Sequence, residues 1–143
     1  MTSHILVPLE DADLATEALE YALSTFPDAD ITALHVVHPF EADVDPEVGF
    51  SGPWDGDWFE TATEEAEALL ERARHLADER GVALSTAVEL GRPARTILDY
   101  VEEHDVDHVV VGSHGRSGVS RVLLGSVAET VVRRSPVPVT VVR

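Results

Sequence analysis

The chain has 143 residues, enough for one domain with a real core, and 44% are hydrophobic, which separates it from disordered sequences. The absence of cysteine excludes a disulfide framework and a thiolate metal site, and no apolar run approaches the roughly 18–20 residues that cross a bilayer. Acidic residues outnumber basic ones 27 to 10, and the net charge of −17 opposes docking on DNA, RNA or an anionic membrane.

In chain order, HILVPL (residues 4–9) is a β-branched run stopped by a proline and reads as the first strand. Its flank, MTSHILVPLE, lacks the basic start and long apolar centre of a signal peptide, so the expectation is a soluble, cytoplasmic protein. Leu14, Ala15, Ala18, Leu19, Ala22 and Leu23 then recur at three- and four-residue spacing, the stripe of a helix that Pro27 and Asp28 close. ITALHVVH (31–38) is the second strand. Residues 39–60 break the alternation: Pro39, Pro46 and Pro53, three glycines and no basic residue mark a long, mobile acidic loop. Its Phe50, Trp54, Trp58 and Phe59 either form a lid over a ligand or partner, or pin the loop to the body. From about Thr61 to Arg80 runs a long acidic helix, with Ala66, Leu69, Leu70, Ala73, Leu76 and Ala77 on one face and Gly81 at its carboxyl end.

VALSTAVEL (82–90) is the third strand, and Gly91-Arg92-Pro93 puts a proline at the first position of a helix carrying Ile97, Leu98 and Val101. HVVVG (108–112) is apolar enough to be a strand buried on both faces. Past a glycine-rich stretch, Ser126-Val127-Ala128-Glu129 has the S-x-x-E pattern of a capping box, opening a helix to Arg134. Ser135-Pro136 ends that helix, and VPVTVV (137–142) is the last strand.

Five strands interleaved with four helices call for a parallel sheet covered on both faces. Right-handed crossovers leave a single doubly wound α/β domain, Rossmann-like, with strand order 3-2-1-4-5. Ligands of such sheets lie beyond the carboxyl ends of the strands. There the fold gathers Pro8, Leu9 and Glu10, then Val36 and Val37, and the loop Gly112-Ser113-His114-Gly115-Arg116-Ser117-Gly118. Glycines let backbone N–H groups approach an anion, and Gly125-Ser126 presents the positive end of the last helix. Together these make a phosphate cradle; glycines that merely serve turns are the competing account. The segment is not a P-loop, since the chain has no lysine, and it lacks the G-x-G-x-x-G spacing. Arg116 and Arg121 are nearby cations that either neutralise phosphates or pair with the acidic excess. His114 is a general base or a donor to the backbone. His4, His35 and His38 have no third partner at a metal-ligand spacing, and no metal site is read from them.

The spacing Gly112-x2-Gly115-x9-Gly125-Ser126 resembles the G-2x-G-9x-G-[ST] motif of the universal stress protein family, in its ATP-binding branch. ILVPLE, LHVV (34–37) and GRPARTIL (91–98) are similar to the family's first strand, second strand and third-strand-to-helix turn, and residues 106–142 to its C-terminal third. The resemblance implies adenine and ribose contacts from Pro8, Leu9, Val36 and Val111. It implies phosphate contacts from Gly112, Gly115, Gly125, Ser126 and Val127, with Arg116 and Ser117 nearby. Where the family usually has Asp, this chain has Glu10, whose longer side chain either reaches a ribose hydroxyl, holds Mg²⁺ through water, or displaces the sugar. The implied ligand is ATP, ADP or AMP, with Mg²⁺ as an accessory, and the implied assembly is a homodimer through residues 137–142, an apolar edge strand.

Three roles fit: an ATP-binding stress or regulatory protein, a slow Mg²⁺-dependent ATPase, and an interaction module with a vestigial site. Binding ranks ahead of hydrolysis, because the sequence supplies a cradle but no lysine and no paired metal carboxylates to stabilise phosphoryl transfer. The acidic, lysine-free composition resembles that of halophilic archaeal proteins, in which salt screens self-repulsion.

Overall fold

Short β-branched runs alternating with one-sided helices bury both only when the helices stack on a sheet. In the computed structural model, which describes residues 3–10, 12–38, 56–113 and 125–142, that is the arrangement found. The order is β1 (His4–Pro8), α1 (Ala12–Thr25), β2 (Asp30–Val37), α2 (Gly56–Glu79), β3 (Leu84–Leu90), α3 (Pro93–Glu103), β4 (His108–Gly112), α4 (Ser126–Arg134) and β5 (Val139–Val142). The strands form one parallel sheet in the expected order, β3-β2-β1-β4-β5.

Side chains alternate across a strand, so each central strand feeds two cores. Ile5 and Val7 of β1, Ile31 and Ala33 of β2 and Val110 of β4 meet Ala18, Leu19, Ala22 and Leu23 of α1. The same layer takes Ala66, Leu69, Leu70, Ala73 and Ala77 from α2. On the opposite face Leu6, Leu34, Val109 and Val111 pack on Ile97, Tyr100 and Val101 of α3 and on Ala128 and Val131 of α4. Truncating one of the larger of these to alanine costs about 2–5 kcal/mol, against a few tenths for most exposed positions.

Several boundaries differ from the sequence reading. Residues 56–60, expected in the loop, begin α2, because glycine and aspartate, turn formers elsewhere, are tolerated in a first helical turn where the dipole favours acid. Residues 39–55, with Phe50 and Trp54, lie outside the described set, and Phe59 is exposed on α2. Val82 belongs to a turn and not to β3: its N–H donates to the Ala77 carbonyl at 3.0 Å, and Gly81, at φ 69°, donates to Asp78 at 3.1 Å. This is the expected glycine stop of α2. Val137 is held by the Ser135 hydroxyl, so β5 begins at Val139.

Histidines at the amino ends of the strands serve structure. The His4 ring donates from Nδ1 to the His104 carbonyl at 3.1 Å, and its Nε2 meets the buried Thr32 hydroxyl at 2.8 Å. His108 Nε2 meets the Thr140 hydroxyl at 2.7 Å. Among the described residues no three His, Asp or Glu side chains converge as a metal-holding group, and no helix is long and apolar enough to cross a membrane.

Candidate functional site

The strand order reverses between β1 and β4, and a parallel sheet opens its crevice beyond the carboxyl ends at that point. β1 ends at Pro8, opposite Leu34 of β2. The Leu9 N–H donates to the Leu34 carbonyl at 2.8 Å, and the Leu9 carbonyl accepts from His35 Nδ1 at 2.6 Å. The Leu9 side chain is only 1% exposed and belongs to the α1/α2 core. Leu9 is therefore fastened at both its polar groups and its side chain, and it delivers the exposed Glu10 to the crevice. His35 is the strut of this corner, a role sequence reasoning missed.

Val36 and Val111 lie together in the α3/α4 layer, Val36 half-buried and Val111 buried. Gly112 closes β4 opposite Val142, and the Ser113 N–H donates to the Val142 carbonyl at 2.7 Å. Gly115, Arg116 and Ser117, together with His114 and Arg121, lie outside the described residues.

The chain re-enters at Gly125, the N-cap of α4, extended at φ −63° and ψ 156°. The expected capping box does not form, because the helix starts one residue earlier than that pattern requires. Ser126 is the first helical residue, its carbonyl accepting from the Thr130 hydroxyl at 2.9 Å, while Glu129 pairs with Arg133 at 2.7 Å. A glycine cap carries no side-chain oxygen, and the first internal bond is Glu129 N–H to the Gly125 carbonyl at 2.9 Å. The amides of Ser126, Val127 and Ala128 thus lack an acceptor within the helix and suit an anion.

α3 begins beside this end. Gly91, at φ 153°, donates its N–H to the Val37 carbonyl at 3.0 Å, and a Cβ there would stand 2.6 Å from Thr96 Oγ1. Only glycine makes that corner without strain. It releases Arg92 as N-cap, followed by Pro93 at the first helical position, as expected.

Between the two helix starts lies a cleft of about 720 Å³, of the size that holds small organic ligands. It takes Ser126 and Val127 from the expected set. It adds His38 just past β2, Arg92 at the cap of α3, Arg95 from α3, and Arg134 from α4. Those three arginines are the second omission from the sequence reading; the signal for Arg92 and Arg95 was the run GRPAR in a chain poor in cations.

The family model described as the universal stress protein family matches residues 1–143. A universal stress protein of Methanocaldococcus jannaschii is 35% identical over 144 residues, covering 97% of this chain and 81% of that protein. Among solved structures, universal stress protein UspA from Lactobacillus plantarum superposes with a TM-score of 0.81 at 28% identity, over 99% of this chain and 97% of that one. A universal stress protein from Archaeoglobus fulgidus in complex with dAMP has a TM-score of 0.70 at 18% identity, covering 100% of this chain and 98% of that one. At that identity the likeness is one of fold.

Proposed function

Because the chain belongs to the universal stress protein family, we propose that it binds an adenine nucleotide, ATP foremost, as a regulatory protein of the stress response. The observation that carries the reading is the start of α4: three helix amides with no internal acceptor, capped by a glycine, at the strand-order switch. The dAMP held by the Archaeoglobus fulgidus protein supports the ligand class.

In this reading Val36 and Val111 wall the adenine, with the Pro8–Leu9 backbone shaping the adjoining rim. Glu10 accepts from a ribose hydroxyl or holds Mg²⁺ through water. Gly112, Gly115, Gly125, Ser126 and Val127 surround the phosphates, assisted by Arg116 and Ser117. Occupancy shifts the conformation at this end of the sheet, and a homodimer through β5 transmits the change to a partner copy. The protein works in a salt-rich cytoplasm. It holds the nucleotide and cleaves it slowly or not at all, since the sequence offers neither a lysine nor paired metal carboxylates to stabilise phosphoryl transfer.

Denaturing the purified protein should release an adenine nucleotide, and titration calorimetry with ATP should give saturable binding. The Gly115→Val/Ser126→Ala variant should lose at least about tenfold in affinity, equivalent to roughly 1.4 kcal/mol. Undiminished binding would move the site elsewhere. Single-turnover assays with labelled ATP decide the ATPase alternative: phosphate release above the uncatalysed rate would establish it.

A further inference from the structure

In a chain with 27 carboxylates and 10 guanidinium groups, an arginine without an acidic partner calls for an explanation. The ion pairs of the described residues are Arg74–Glu71, Arg80–Glu20 and Arg133–Glu129. Arg92, Arg95 and Arg134 belong to none of them, nor does the exposed Arg72 of α2, but these three alone come together, lining one cleft. Asp99 is the single carboxylate among its lining residues, so the cleft is cationic where the molecule as a whole is strongly anionic. α3 reinforces this, for it has no acidic residue in its first turn, where such residues would complement the helix dipole.

The shape narrows the ligand. Pro93, Ala94, Leu98 and Val127 give the cleft an apolar floor beneath the charged rim, which suits a sugar or base carrying phosphate better than a bare ion. Ser126 and Val127 belong both to this cleft and to the phosphate-binding start of α4, so the two are continuous. About 12 Å of helix separate Ser126 from Arg134, and both line this groove.

We propose that the α3–α4 groove is a second anion subsite, in which Arg92, Arg95 and Arg134 hold a phosphate on the ribose of an adenine nucleotide whose 5′-phosphate lies at the start of α4. This rests on the nucleotide-binding reading above and adds to the ligands of that site a nucleotide phosphorylated at a second ribose position. Guanidinium forks match phosphate oxygens in pairs, which gives the groove selectivity as well as attraction.

The test compares AMP with adenosine 3′,5′-bisphosphate by titration calorimetry at fixed ionic strength, with ATP and inorganic phosphate as further arms. The bisphosphate should bind the unmodified protein at least about tenfold more tightly than AMP, the effect of one well-made charge-assisted contact. In Arg92→Ala/Arg95→Ala that ratio should fall to about one with AMP still bound; Arg95→Lys, which keeps the charge but not the fork, should fall between. Arg72→Ala/Arg74→Ala on α2 makes the same change in net charge and should keep the full ratio, and circular dichroism of each variant verifies folding. Equal affinity for AMP and the bisphosphate, or a preference that survives loss of Arg92 and Arg95, overturns the proposal and leaves nucleotide binding standing. Inorganic phosphate that binds with the same arginine dependence alongside AMP overturns it in favour of a free anion. Failure of AMP and ATP alike to bind removes the nucleotide reading first and this one with it.

Discussion

Tyr100 stacks on His104 with ring centroids 3.7 Å apart and lies in the α3/α4 core. Burial raises its phenol pKa above the ordinary value of 10.0, and the Glu89 carboxylate adds to the shift. A pKa raised in the folded state gives stability that is complete below about pH 10 and is lost as pH climbs toward the folded value. Urea midpoints of the wild type should therefore fall more steeply between about pH 9 and pH 11 than those of Tyr100→Phe, which has no ionisable group there. Parallel alkaline slopes would contradict this. Not every such position is visible in sequence. Gly81 was, because the turn that ends α2 is local chemistry. His35 was not, because its acceptor at Leu9 is 26 residues away and only the β1–β2 register brings them together.

At the scale of elements, every strand and helix was legible from period and punctuation, since each buries a face whose spacing the residues display. What the sequence left open were ends settled by tertiary bonds: β5 starts at Val139 because Ser135 ties back Val137, and α4 is capped by Gly125 instead of Ser126. Beyond the run GRPAR the cleft was unreadable for the same reason, because it is made by two helix starts separated by 33 positions from Pro93 to Ser126. β5 carries its own prediction. The Val109 N–H donates to Pro138 and the Ser113 N–H to Val142, so the even-numbered residues bond to β4. Val139 and Val141 then direct their amides to the outer edge of the sheet. A proline at 141 removes an outward donor and leaves the internal ladder whole. Val141→Pro should turn a dimer into a monomer by light scattering, at a folding cost of about 1 kcal/mol. A dimer that persists would put the interface on another surface.

For the molecule as a whole, a net charge of −17 sets up self-repulsion. The exposed ion pairs contribute about 0.2–1 kcal/mol each, too little to offset a net charge of −17. Raising KCl from roughly 0.1 to 1 M, where the screening length falls from about 10 to 3 Å, should raise Tm by about 5 °C or more. A flat or falling Tm would separate this acidic surface from any adaptation to salt. The order of the sheet also has a consequence for how the protein is made. β1 pairs with β2 early in synthesis, but its other edge waits for β4, whose residues 108–112 emerge only after β3 and α3 are complete. At roughly 5–20 residues per second, the most buried strand spends several seconds on the ribosome with an open, apolar flank. A nascent chain stalled after α3 should accordingly be the species that holdase chaperones grip, and release should follow translation of residues 108–112.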